Sequence, residues 1–138
     1  MTQQDVTTYL QQYGSYFPGG TQFQLQEMLS QKENVSLNDL WSLPLKDPKK
    51  ATLFAYLVGV FGVDRFWLQQ KTSATIKLMI TVCYCLSFLL MYFIDWLGGL
   101  VFLCTMLTMF IWWIIDIATA SKRARAMNYT TLMTYLTH

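Results

Sequence analysis

Apolar and polar positions are segregated along this chain. Residues 1–50 are rich in Gln, Thr, Ser and Asn, with apolar residues placed at helical spacing, whereas Ala51 to Ala120 is almost continuously apolar. Within that second stretch only Asp64, Arg65, Lys71, Lys77, Asp95 and Asp116 carry charge. The pattern predicts an all-α integral membrane protein: a small helical headpiece, then apolar helices. In the headpiece, Val6, Tyr9, Leu10 and Tyr13 recur at helical intervals, as do Phe23, Leu25, Met28 and Leu29, and "FPGG" (17–20) separates the two segments. A third short helix is expected in "SLNDLWSL", with Ser36 as its N-cap. Three short helices with few large apolar residues make a thin core, so the headpiece is expected to lean on the membrane part or on a second copy.

Three apolar runs follow, at 51–68, 74–94 and 100–120. Asp47 and Pro48 suit a helix start, since proline lacks only an N–H that would be unpaired there. From Ala51 to Val63 that helix would be roughly 20 Å long, short of the roughly 30 Å hydrocarbon layer. The other two runs, Ala74 to Ile94 and Leu100 to Ala120, are long enough to span, and "DWLGG" between them, with the pair Gly98 and Gly99, supplies a turn. The expected division is a headpiece at 1–46, a membrane domain at 47–121 built on a transmembrane helical hairpin preceded by a half-length or third helix, and a basic tail at 122–138.

Lys and Arg placement bears on orientation. If the first run spans, Lys122, Arg123 and Arg125 lie on the opposite face from Lys46, Lys49 and Lys50. If it enters and returns, all of them lie on the cytoplasmic face together with Arg65 and Lys71, and "DWLGG", which has no basic residue, is the external loop. The second arrangement is the preferred expectation, and three short spans remain an alternative. The opening "MTQQDVTTYLQQYG" lacks the basic start and apolar core of a signal peptide. The chain is accordingly expected in the inner (cytoplasmic) membrane, multi-pass, with both termini cytoplasmic.

Composition adds exclusions. The chain is 54% hydrophobic, and its net charge of +2 is too small to point to nucleic acid. Cys83, Cys85 and Cys104 fall inside apolar runs without other soft ligands, so they are read as packing residues and not as a metal site. The single histidine, His138, is the last residue. No nucleophile elbow, metalloprotease motif or phosphate-binding loop is present, so no catalytic set, cofactor or metal is expected.

The charges inside the apolar runs are the candidate chemistry. Asp64 and Arg65 are expected to end the half-length helix and hold the returning chain at the interface, with Phe66 and Trp67 at headgroup level. Counting from Leu97, Lys77 lies 20 residues before and Asp116 lies 19 after, so antiparallel helices put them at one depth, where they can pair. One stripe would hold Lys77, Thr81, Tyr84, Phe88 and Met91, and the facing stripe Thr105, Thr108, Trp112, Asp116 and Thr119. Three roles stay open for Lys77 and Asp116: snorkelling to headgroups, lining a polar path or partner site, or clamping the helices. Gly59 and Gly62 suggest packing or a turn, although their spacing is one residue short of G-x-x-x-G.

"LKDPKKATLFAYLVGVFGVDRFWL", then "TIKLM" and "IWWIIDIATASKRARAMNYTTL", resembles the bacterial branch of the TM-two domain family, named for two transmembrane helices and a D-R-F motif. The resemblance runs from about Lys46 to Leu132. Family members usually have glycine where this chain has Gln69. The resemblance implies an α-helical inner-membrane protein and supplies no common activity. The function expected is a non-enzymatic membrane interaction or assembly module. Its partners would be the lipid bilayer, further copies of itself as a homo-oligomer, and a cytoplasmic protein bound through residues 1–46. The alternative is an oligomeric pore or membrane-permeabilising effector.

Overall fold

A computed structural model describes residues 2–32, 35–93 and 95–137, apart from the side chains of Asp95 and Leu97. All regular structure among the described residues is helical. The seven α-helices are α1 (Gln3–Tyr13), α2 (Gln22–Gln31), α3 (Leu37–Trp41), α4 (Pro48–Val58), α5 (Val63–Trp67), α6 (Lys71–Leu90) and α7 (Asp95–Thr137), with short 3₁₀ turns at Gly14–Tyr16 and Gly59–Phe61. They form two compact units, one of residues 1–48 with 122–138 and one of residues 49–121.

Local signals set the helix starts in the first unit. Thr2 and Asp5 form a reciprocal capping box on α1, which also holds the Asp5 carboxyl below the usual carboxylate range through the Thr2 hydroxyl. Ser36 caps α3 by accepting a hydrogen bond from the Asp39 amide at 3.2 Å. The inward faces of α1, α2 and α3 bring Val6, Tyr9, Leu25, Leu29 and Leu40 together with Phe17, all fully buried or nearly so. Phe23 and Met28, which share the helical spacing of α2, are exposed instead. Burial pushes the Tyr9 phenol well above its ordinary pKa.

The segment expected as a separate basic tail is part of this core. Residues 122–137 continue α7, and Leu132 and Leu136 sit in the same apolar cluster as Val6 and Tyr9. The reason is a stripe of period four: Ala124, Asn128, Leu132 and Leu136 are all buried, while the basic residues fall on neighbouring faces. Asn128, only 1% exposed, ties the unit together. Its Oδ1 accepts from the Lys46 amide at 2.7 Å, and its Nδ2 donates to the carbonyls of Lys46 at 2.7 Å and Tyr16 at 2.9 Å.

In the second unit, α6 has 20 residues and the apolar part of α7 begins a 40-residue stretch at Gly98, and both are long and apolar enough to cross a membrane. Their outer faces expose Leu78, Val82, Leu86, Leu103, Leu107, Ile111 and Ile114, a surface suited to hydrocarbon. Cys83, Cys85 and Cys104 are free and lie on these exposed faces, so they do not pack inward as expected. The turn between the helices occupies Met91–Phe93, earlier than "DWLGG"; Ile94 lies outside the described residues. Gly98 and Gly99 therefore lie within α7. A Cβ on Gly98 would come within 2.8 Å of the Met91 Cα, so the glycine permits close approach at the hairpin tip, whereas Gly99 faces open space.

Removing the Asn128 side chain should take away its hydrogen bond from the part-buried Lys46 amide. Asn128→Ala is expected to lower the stability of the headpiece unit by about 1–3 kcal/mol, measured as thermal unfolding by circular dichroism of the full chain in detergent. An unchanged melting curve would contradict the role given to these three hydrogen bonds.

Candidate functional site

The first apolar run does not form a spanning helix. α4 ends at Val58 after 11 residues, the chain tightens into a 3₁₀ turn, and Gly62 then adopts φ +75°, the left-handed conformation. The Val60 carbonyl lies 2.9 Å from Thr81 Oγ1, while Leu68 to Gln70 lead directly into the start of α6. Between Val60 and Gln70 the chain thus runs back along α6. A side chain at Gly62 would meet the Ala74 carbonyl oxygen at 3.2 Å. Gly62 is needed both for its backbone conformation and for its closeness to α6. Gly59 is also buried, with the Trp113 ring 3.6 Å from where its Cβ would be.

Gln69 has φ 59°, the only left-handed residue other than glycine among the described residues. It occupies the place where the TM-two resemblance leads one to expect glycine. The return into α6 needs a left-handed residue, which glycine adopts at less cost.

The reversal delivers Arg65, on α5, to Asp116, on α7. Arg65 Nη2 is 2.5 Å and Nε 3.2 Å from Asp116 Oδ1. Lys77 Nζ, on α6, donates to the other oxygen, Oδ2. Lys77 and Asp116 are fully buried, and Arg65 is largely so, with its guanidinium 5.5 Å from the centre of the Trp112 ring. Asp64, beside Arg65 in the first turn of α5, is also fully buried. The formal charges of Asp64, Arg65, Lys77 and Asp116 sum to zero. Phe66 points outward, about half exposed.

Of the residues singled out in the sequence, Lys77 and Asp116 meet, and Asp64 and Arg65, expected to hold the returning chain, lie on α5 within the returning segment. They lie inside the protein, because the half-length helix returns against α6 and α7. Arg65 as a partner of Asp116 escaped sequence reading, since the two are 51 positions apart and no periodicity connects them. The proposed facing stripe on α7 also shifts. Thr108 and Thr119 bond back to their own helix, at the carbonyls of Cys104 and Ile115. The contacts across are Ser87 with Thr105 at 3.3 Å, Tyr84 stacked on Phe102 and Thr81 with the Met109 sulfur at 3.9 Å. Spacings of three and four (102, 105, 109, 112, 116) define this seam, and position 108 falls beside it. Two further bonds serve the reversal: Trp113 Nε1 donates to the Tyr56 carbonyl at 3.3 Å, and the Thr81 hydroxyl shares its proton between the carbonyls of Val60 and Lys77. Among the described residues no group of three or more His, Cys, Asp or Glu converges as a metal site, and His138 lies outside them.

Residues 45–97 match the family model of the TM2 domain. The match contains the reversal, Asp64, Arg65, Phe66 and Lys77, and ends before Asp116, so the W-W-x-I-D segment lies beyond it. Neither a curated protein nor a solved structure matches the chain.

The cluster makes two expectations. Asp116→Leu leaves two buried cations facing an apolar side chain and should lower stability by about 3–5 kcal/mol. Adding Lys77→Met should recover a measurable part of that loss, and denaturant unfolding in mixed micelles reads both. If the double variant is no better than the single one, Lys77 and Asp116 are not energetically coupled. At the turns, Gly62→Ala should cost about 1–2 kcal/mol for its left-handed φ, while Gln69→Gly should be neutral or stabilising. Equal destabilisation by both in the same assay would refute the conformational argument.

Proposed function

We propose that a chain carrying this TM2 domain works as a non-enzymatic membrane interaction module: a self-associating protein of the inner membrane whose headpiece binds a cytoplasmic partner. The observation that carries the reading is that both oxygens of Asp116 are taken up within the chain, by Arg65 and Lys77. The buried charges are thereby committed to holding three elements together, and the surface left for partners lies elsewhere. A pore of several copies would instead need Lys77 and Asp116 to face a lumen, but both are fully buried against each other.

Topology supports the same reading. Leu132 and Leu136 share one apolar cluster with Val6, Tyr9 and Leu40, which supports placing both ends of the chain on one side of the membrane. Two spans and a returning half-helix agree with that placement better than three spans do. Lys46, Lys49, Lys50, Lys71, Lys122, Arg123 and Arg125 all flank the apolar runs at the ends assigned to that side, and residues 91–97 carry no Lys or Arg. By the positive-inside rule that side is the cytoplasm. The headpiece exposes Phe23 at 77% and Trp41 at 47%, apolar groups suited to a protein partner or a second copy.

Single cysteines at Thr72, Phe93 and Ala126, on a background lacking Cys83, Cys85 and Cys104, test the proposal. Position 93 is 84% exposed, whereas a substitution at Gly98 would collide with Met91. Only position 93 should react with an impermeant maleimide outside intact cells. Donor- and acceptor-labelled Phe93→Cys copies in vesicles should then transfer energy above the level set by random mixing as lipid is added. External reaction at 72 or 126 would overturn the topology, and transfer that falls to the random level would overturn self-association.

A further inference from the structure

Above the charge cluster, on the side of the reversal, the second unit has an unfilled groove. Val60, Tyr84, Met106, Met109, Phe110 and Trp113 line a space of about 220 Å³. This exceeds the roughly 150 Å³ at which an apolar cavity in a protein stays dry and takes up benzene. We infer that this groove seats one hydrocarbon chain of a membrane lipid, an inference that rests on the membrane reading of α6 and α7.

Three observations favour that occupant. First, four of the six lining residues belong to the apolar part of α7 and one to α6, the two helices long enough to span, so the groove lies within the hydrocarbon layer. Second, the lining residue Phe110 is 54% exposed, and the apolar positions that neighbour the lining along α7 are exposed too, Leu107 at 49% and Ile111 at 57%, so hydrocarbon is the medium that reaches it. Third, the lining is made of rings, a branched aliphatic and two thioethers. The adaptable methionines conform to a flexible chain without offering a polar group that it could not satisfy. The Trp113 indole N–H is already given to the Tyr56 carbonyl.

The seat is also connected to the cluster below. Thr81 touches the Met109 sulfur and the Val60 carbonyl on the groove side and the Lys77 carbonyl one turn away.

The test uses the full chain in phosphatidylcholine vesicles doped with a phospholipid that carries a diazirine midway along one acyl chain. Adducts are mapped by peptide mass spectrometry after illumination. Contact with surrounding lipid alone predicts that Met109, 7% exposed, is labelled about sevenfold less than Leu107, 49% exposed. A seated chain should bring Met109 to at least the level of Leu107. Filling the groove with Met106→Trp from α7, or independently with Val60→Phe from the reversal, should return Met109 to the lower level and leave Leu107 unchanged. Labelling of Leu107 with Met109 at its exposure-weighted level overturns the inference while leaving the membrane reading intact. Absence of labelling at Leu107 as well overturns both. Met109 labelling that falls as protein is concentrated in the vesicle identifies a second copy as the occupant and likewise overturns it.

Discussion

The membrane unit depends on one carboxylate serving two cations. A lone ionised group in hydrocarbon costs several kcal/mol, and a buried ion pair offsets its desolvation only when geometry and hydrogen bonding are good. Asp116 meets that condition by giving one oxygen to Arg65 and the other to Lys77. Because the two cations come from α5 and α6 and the acceptor from α7, the electrostatic solution is also a topological one. The half-length helix, the first span and the second span are fixed to each other at a single point.

That point makes a returning half-helix possible. Irregular backbone at membrane depth is tolerated only where protein covers it and satisfies its polar groups. The carbonyl of Tyr56, near the C-terminal end of α4, is met by Trp113, and that of Val60 by Thr81. Gly62 then turns the chain in a conformation other residues resist, at a distance from α6 that leaves a side chain little room. One turn, two hydrogen bonds and one ion cluster thus share a task. The turn chemistry sets the direction of the return, the hydrogen bonds satisfy the exposed carbonyls, and Asp116 holds the returned segment in place.

The headpiece obeys a different constraint, that of too little apolar volume. Three helices of 11, 10 and 5 residues cannot enclose a core alone. The deficit is made good from within the chain, by the last turns of α7, so a second copy is not needed to complete the core. Asn128 is the polar counterpart of Leu132 and Leu136. It satisfies backbone groups of Lys46 and Tyr16 where those segments pass the helix, which fixes register as well as contact.

What could be read from sequence divides along the range of the interaction. Caps, helix existence, the two candidate spans and the shortness of the first run follow from neighbours within a few positions. The meeting of Lys77 with Asp116 was legible too, because a hairpin of two regular helices converts sequence distance into depth. Arg65 was not, since its route to Asp116 passes through a left-handed glycine whose consequence depends on α6 already being in place. The tail was misread for a related reason. Its basic residues dominate composition, while the period-four stripe of Ala124, Asn128, Leu132 and Leu136 mixes small, polar and aliphatic types and gives a weak hydrophobic signal. In both cases the missing information was the partner surface: a stripe or a charge states what must be buried or paired, and only the rest of the fold states against what.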